Sequence, residues 1–111
     1  MGNLEGKVAL ITGGSRGIGL ACAVRLAEDG ARVAVCGRDA GAAEAAARRI
    51  GHGARGFGCD VGVPAAVTGL FAQVEGALGP VGILVNNAGI TRDGLLVRMK
   101  DEDWQAVQQT N

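Results

Sequence analysis

The sequence predicts an α/β fold built on a doubly wound parallel sheet, and three observations support this prediction. Short apolar runs alternate along the chain with longer stretches of helical periodicity. The apolar runs are continuous, as expected of strands that helices cover on both faces. Glycine or proline separates the successive elements, and the 20 glycines among 111 residues follow no fixed repeat. This scatter excludes collagen-like and low-complexity chains, and the length is that of one domain.

The first half of the chain contains two strand-and-helix units. Residues 8–11 form an apolar run, and apolar residues then recur at helical spacing until Gly30, which suits a helix end. Residues 33–36 form the second apolar run. Asp39 is placed to cap an alanine-rich helix over 42–50, which Gly51-His52-Gly53 would end.

The second half repeats the alternation. We expect a weaker strand over 55–59, a helix over Pro64–Leu78 and a fourth strand over 81–85. A loop is then expected to about residue 100, followed by a last helix that Asp101 caps and that contains Trp104 and Val107.

Strands that alternate with helices at this spacing pair in parallel through right-handed crossovers. The expected architecture is therefore a Rossmann-like sheet with the strand order 3-2-1-4, truncated after about four strands. The fourth strand would lie uncovered at the sheet edge, and no capping glycine or proline follows the last expected helix. We therefore expect residues 1–111 to be the N-terminal part of a longer protein.

Composition excludes several classes of partner. Eleven basic and eleven acidic side chains cancel, so no net charge attracts nucleic acid or an anionic membrane surface. No apolar run approaches the ~20 residues of a membrane span, and the N-terminus lacks a secretory signal pattern. We expect a cytoplasmic protein, and a form in a mitochondrial or plastid matrix is also compatible with the sequence.

The three cysteines, Cys22, Cys36 and Cys59, have no CxxC spacing. An odd number at this spacing argues against a disulfide framework and against a metal site, and we predict no metal. Cys36 and Cys59 fall near the ends of predicted strands. They are either small buried residues or a redox-reactive pair.

The turn after the first strand carries three spaced glycines in the pattern G-x-x-x-G-x-G. Gly13 permits the sharp exit from the strand, Gly17 would let the helix N-terminus approach a diphosphate, and Gly19 would allow close packing of helix on strand. Free N–H groups and the helix dipole would supply the anion site. The alternative is a tight turn without a ligand.

The end of the second strand indicates which nucleotide is bound. A site for NAD places a carboxylate there to accept a hydrogen bond from the ribose 2′-hydroxyl, but Cys36 and Gly37 are followed by Arg38. Arg38 can offer a planar fork to a 2′-phosphate, and Arg16 in the glycine turn lies on the same side. The sequence therefore favours NADP(H) over NAD.

These motifs resemble those of the short-chain dehydrogenase/reductase family, over essentially the whole chain. The glycine motif of the family is matched over 12–19, an adenine-contacting pair by Asp60 and Val61, and its second motif by 86–89. Residues 87–100, with Asp103-Trp104 and Thr110-Asn111, are similar to the 3-oxoacyl-[acyl-carrier-protein] reductases. That group uses NADPH to reduce a β-keto thioester to the 3-hydroxy form in fatty acid synthesis.

The resemblance implies a set of cofactor-binding residues and one catalytic residue. Arg38 would meet the 2′-phosphate, and Asn87 would line the ribose or, equally, would tie the fourth strand to the first through Thr12. Asn111 would hold a water in the proton relay. The implied cofactor-binding residues are Gly13, Ser15, Arg16, Gly17, Ile18, Gly19, Arg38, Asp60, Val61, Asn87, Ala88 and Gly89.

The resemblance also implies a small-molecule or acyl-carrier-protein-bound keto substrate and a homo-oligomeric parent, a tetramer. The family's catalytic Ser and Tyr-x-x-x-Lys pair do not occur within these 111 residues, which contain no tyrosine. Proton transfer needs a tyrosine whose pKa a nearby lysine lowers, so we expect these residues alone to be inactive. The alternative is a stand-alone nucleotide-binding module or a catalytically inactive fragment.

Overall fold

A computed structural model describes residues 3–14, 17–87, 95–100 and 104–109. The four strands expected from the sequence are parallel, and their order in the sheet is the predicted 3-2-1-4. A helix joins each strand to the one that follows it in the sequence. The Rossmann-type fold is therefore confirmed. In chain order, the elements are β1 Val8–Thr12, α1 Gly17–Glu28, β2 Arg32–Gly37, α2 Ala40–Ile50, β3 Arg55–Gly58, α3 Pro64–Leu78, β4 Val81–Asn86, β5 Leu95–Lys100 and β6 Trp104–Gln109.

Alternation along β1 divides the core between the two faces of the sheet. All five residues of β1 are buried, because helices cover both faces. Ala9 and Ile11 pack with the inner residues of α1 and α2, and Val8 and Leu10 pack with those of α3. The continuous apolar run that predicted the strand thus reflects two separate layers of packing.

The ends of α2 follow the capping residues that the sequence offered. The Asp39 carboxylate accepts a hydrogen bond from the backbone N–H of Ala42 at 3.1 Å. At the other end, the N–H of Gly51 donates to the carbonyl of Ala47 at 3.0 Å. Both ends therefore satisfy backbone groups that the helix itself leaves without partners.

Small residues let α2 pack very close to β3. Ala43, Ala46 and Ala47 form the buried face of the helix. A Cβ on Gly56 of β3 would overlap the backbone of Ala43. Gly56, which makes the apolar pattern of this strand weaker, thus has a packing role.

The prediction for the last part of the chain is wrong. The sequence predicted a loop to residue 100 and then a helix containing Trp104 and Val107, but the structure has the antiparallel strands β5 and β6 there. Strand β5 pairs with β4, which would otherwise present unpaired backbone groups at the sheet edge. The demand for pairing at that edge overrides the local helical pattern. The expected cap Asp101 lies outside the described residues.

Candidate nucleotide-binding site

The carboxyl ends of β1, β2 and β4 converge on the turn between β1 and α1, the edge where open α/β sheets bind ligands. The N–H of Gly13 donates to the carbonyl of Cys36 at 2.8 Å, which fixes the start of the turn against β2. Gly13 and Gly17 both have positive φ, 67° and 63°, which glycine adopts without strain. Ser15 and Arg16 lie outside the described residues.

Thr12 and Asn87 join the glycine turn to the end of β4. The backbone N–H of Asn87 donates to the hydroxyl of Thr12 at 2.9 Å, and that hydroxyl lies 3.1 Å from Asn86 Oδ1. The side-chain amide of Asn87 donates to the carbonyl of Gly13 at 3.1 Å. The structural role expected for Asn87 is therefore confirmed.

Gly19 lies where the first turn of α1 presses on this junction. A Cβ at Gly19 would stand 2.6 Å from Nδ2 of Asn87 and would overlap the carbonyl of Gly13. Only a residue without a side chain permits this approach. The close packing that the sequence predicted for Gly19 is therefore confirmed.

A cavity of about 360 Å³ opens beside the turn, between the ends of β2 and β3. It brings together Gly13, Arg38, Asp60 and Val61, four of the residues that the resemblance implied. Ile18 is 45% exposed at the start of α1. The full lining is Gly13, Cys36, Gly37, Arg38, Cys59, Asp60, Val61 and Gly62.

Four lining residues were not among the expected cofactor contacts: Cys36, Gly37, Cys59 and Gly62. Each is within two residues of Arg38 or Asp60 in the sequence. The signal that would have found them is their position at the carboxyl ends of parallel strands, where ligands of this fold class bind.

Charged groups face each other across the mouth of the cavity. The Nε atom of Arg38 lies 4.0 Å from Oδ1 of Asp60, and the side chains are 85% and 49% exposed. The same Oδ1 accepts a hydrogen bond from the N–H of Gly62 at 2.9 Å. The carboxylate is therefore held by the backbone, whereas the arginine is largely surrounded by solvent.

Cys36 and Cys59 are buried free thiols on the cavity wall. Burial, with a smaller contribution from Cys59, raises the pKa of Cys36 to about 11. Burial and the neighbouring carboxylate of Asp60 also raise the pKa of Cys59. Thiols that stay protonated at neutral pH react slowly, which favours the interpretation of both as small buried residues.

The raised pKa of Cys36 predicts a loss of stability at high pH. The thiol is protonated in the folded state. Its contribution to the free energy of unfolding is therefore complete below the ordinary pKa of 9.0 and is lost as pH rises through about 11. We expect the free energy of unfolding, relative to a Cys36→Ala variant, to fall by about 2 kcal/mol over this range. Urea titrations of both proteins between pH 8 and pH 11 measure it. A difference that does not change with pH contradicts the prediction.

Five of the predicted site residues lie outside the described residues: Ser15, Arg16, Ala88, Gly89 and Asn111. In the part of the chain that the structure describes, no three His, Cys, Asp or Glu side chains gather in a group that could hold a metal ion. Across the same residues, none of the helices combines the length and the apolar character that crossing a membrane requires.

Comparison with known proteins gives consistent results. The family model described as short chain dehydrogenase matches residues 7–111. The chain is 46% identical over 109 residues to the 3-oxoacyl-[acyl-carrier-protein] reductase FabG of Escherichia coli (strain K12). The aligned region covers 98% of this chain and 45% of FabG. It is also 48% identical over 108 residues to the short-chain reductase protein NovJ of Streptomyces niveus, covering 95% of this chain and 41% of NovJ.

Among solved structures, a short chain dehydrogenase/reductase family protein matches with a TM-score of 0.73 and 50% identity. The match covers 83% of this chain and 37% of that one. The chain thus spans less than half of the length of each of these relatives.

Proposed function

Because this chain belongs to the short-chain dehydrogenase/reductase family, we propose that it is the NADP(H)-binding N-terminal part of a cytoplasmic reductase. The parent protein would use NADPH to reduce 3-oxoacyl thioesters, carried by an acyl carrier protein, to 3-hydroxyacyl thioesters in fatty acid synthesis. The reductase FabG of Escherichia coli supports this substrate class through its name and its 46% identity. The parent would be a homo-oligomer, a tetramer.

The observation that carries the cofactor assignment is the position of Arg38. It stands at the mouth of the cavity that the glycine turn borders, directly after β2. A carboxylate at the end of β2 would accept a hydrogen bond from a ribose 2′-hydroxyl. Here the strand ends with Cys36 and Gly37, and Arg38 follows. A guanidinium there can donate two hydrogen bonds to a 2′-phosphate. The guanidinium of Arg38 and the cavity that it lines are therefore compatible with NADP(H).

The remaining roles follow the path of the dinucleotide along the strand ends. Asp60 and Val61 would flank the adenine, and Asn87 would line the ribose while it holds the turn. The first turn of α1 would supply N–H groups to the diphosphate. Ser15, Arg16, Ile18, Ala88 and Gly89 complete the proposed set. NADPH, when bound, supplies the hydride.

The proton has to come from elsewhere in the parent protein. Asn111 would hold a water in the relay, but these 111 residues contain no tyrosine to act as the general acid. The 111-residue chain alone should therefore bind the nucleotide and reduce no β-keto thioester. Turnover of such a substrate by the purified chain, with contaminating reductase excluded, would contradict this.

Replacing Arg38 tests the cofactor assignment. We expect Arg38→Gln to weaken NADPH binding by roughly ten-fold and NADH binding by less than two-fold, because a charge-assisted contact to phosphate is worth more than ~1 kcal/mol. The two ligands differ only in the 2′-phosphate. Titration of the nicotinamide fluorescence with the 111-residue chain measures both dissociation constants.

The matched control is Arg48→Gln, which removes an equally charged and exposed arginine near the far end of α2. It should leave both dissociation constants unchanged at the same ionic strength. Equal binding of NADPH and NADH by the unaltered chain, or an equal loss of both in Arg38→Gln, would overturn the assignment of NADP(H).

A further inference from the structure

The carboxylate of Asp60 lies beside the guanidinium of Arg38, the group proposed to bind the 2′-phosphate. The two residues follow neighbouring strands, Arg38 after β2 and Asp60 after β3, and both line the cavity. Nε of Arg38 lies 4.0 Å from Oδ1 of Asp60. Any 2′-phosphate that binds Arg38 therefore approaches a group that already interacts with a negative charge.

The two members of this ion pair differ in how firmly they are held. Asp60 Oδ1 accepts from the Gly62 N–H at 2.9 Å, so the backbone fixes the carboxylate at the cavity wall. The Arg38 side chain is 85% exposed, so it can move at little cost. When a phosphate arrives, the arginine is the group that adjusts, and the carboxylate stays.

We propose that Asp60 limits the preference of this site for a nucleotide 2′-phosphate by competing for Arg38. This inference rests on the proposed binding of NADP(H). The carboxylate neutralises part of the charge that Arg38 offers, so Arg38 binds a phosphate less tightly than it would without this partner. Asp60 is thus a specificity-determining residue whose effect opposes that of Arg38.

The competition can be separated from any contact between Asp60 and the adenine. NADPH and NADH carry the same adenine, so a change in adenine binding alters both dissociation constants by the same factor. It cancels in the ratio of the NADH constant to the NADPH constant. Competition for Arg38 affects only the ligand with a 2′-phosphate, and it changes that ratio.

The test is Asp60→Asn, which keeps the size of the side chain and an oxygen that can accept from the Gly62 N–H. We expect the ratio of dissociation constants, measured on the 111-residue chain, to rise two- to five-fold, the range that an exposed ion pair supports. The increase should shrink as salt is raised from about 0.05 M to about 0.5 M, because exposed charges are screened. Asp29→Asn is the matched control. It removes one carboxylate that pairs with Arg25 at the end of α1, and it should leave the ratio unchanged.

A double variant decides whether Arg38 transmits the effect. In an Arg38→Gln background, Asp60→Asn should no longer raise the ratio. An unchanged or lower ratio in the single variant, or a rise that persists without Arg38, overturns the inference. If the unaltered chain prefers NADPH and loses that preference in Arg38→Gln, either of these two outcomes overturns this inference and leaves the proposed function in place. If the unaltered chain shows no preference, the proposed function fails together with the inference.

Discussion

Replacing Gly19 with alanine is expected to lower the free energy of unfolding by about 2–3 kcal/mol and to reduce nucleotide affinity at least ten-fold. The added Cβ would meet Nδ2 of Asn87 at 2.6 Å and the carbonyl of Gly13 more closely still. The carbonyl belongs to the turn backbone and cannot rotate away, so α1 must shift off the end of the sheet. That shift also displaces the N–H groups proposed to bind the diphosphate. Urea denaturation measures the first effect, and NADPH titration measures the second.

The matched control is Gly69→Ala, near the middle of α3. Nothing lies within 4 Å of the Cβ that this substitution would add. Alanine favours the helical conformation over glycine by about 0.8–1.0 kcal/mol, so this variant should be more stable than the unaltered chain. Equal effects of the two substitutions would show that helix propensity, rather than contact with the turn, determines the role of Gly19.

The parallel part of the fold could be predicted because its signals are local. The continuous apolar run of β1, the Asp39 cap and the glycine at the end of α2 each depend on neighbouring residues. The hairpin of β5 and β6 could not be predicted, because β5 forms by pairing with β4. The free edge of β4 exists only once the parallel sheet has assembled. The segment from 95 to 109 contains apolar residues that satisfy either a helical or an extended pattern, and tertiary pairing decides between them.

The candidate site divides along the same line. The glycine turn and Arg38 follow directly from positions at the ends of predicted strands, as does the presence of Asp60 nearby. The hydrogen bonds from Asn87 to Thr12 and Gly13 join residues 75 and 74 positions apart, and the ion pair of Arg38 with Asp60 crosses between two strands. Sequence spacing offers no distance between such groups. The competition inferred for Asp60 therefore required the structure.

Replacing Gly56 with alanine is expected to destabilise the protein by about 2–3 kcal/mol through a purely structural route. The new Cβ would overlap the carbonyl of Ala43 and would lie 2.6 Å from the N–H nitrogen of Glu44. Both are backbone atoms of α2, so the helix has to move away from β3 and expose part of its buried alanine face. Urea denaturation measures the loss. Faster amide exchange confined to α2 and β3 would locate it.

A nearby glycine on the same strand shows why the contacting atom matters. A Cβ at Gly58 would meet the Cβ of Ala40 at 2.8 Å, a single methyl group on an exposed residue. The loss in Gly58→Ala should therefore be smaller, and the double variant with Ala40→Gly should recover part of it. No substitution at Ala43 can relieve the contact made by Gly56→Ala, because every residue type keeps the same carbonyl. Rescue of Gly56→Ala by Ala43→Gly would contradict a backbone contact and would place the origin of the loss in the strand itself.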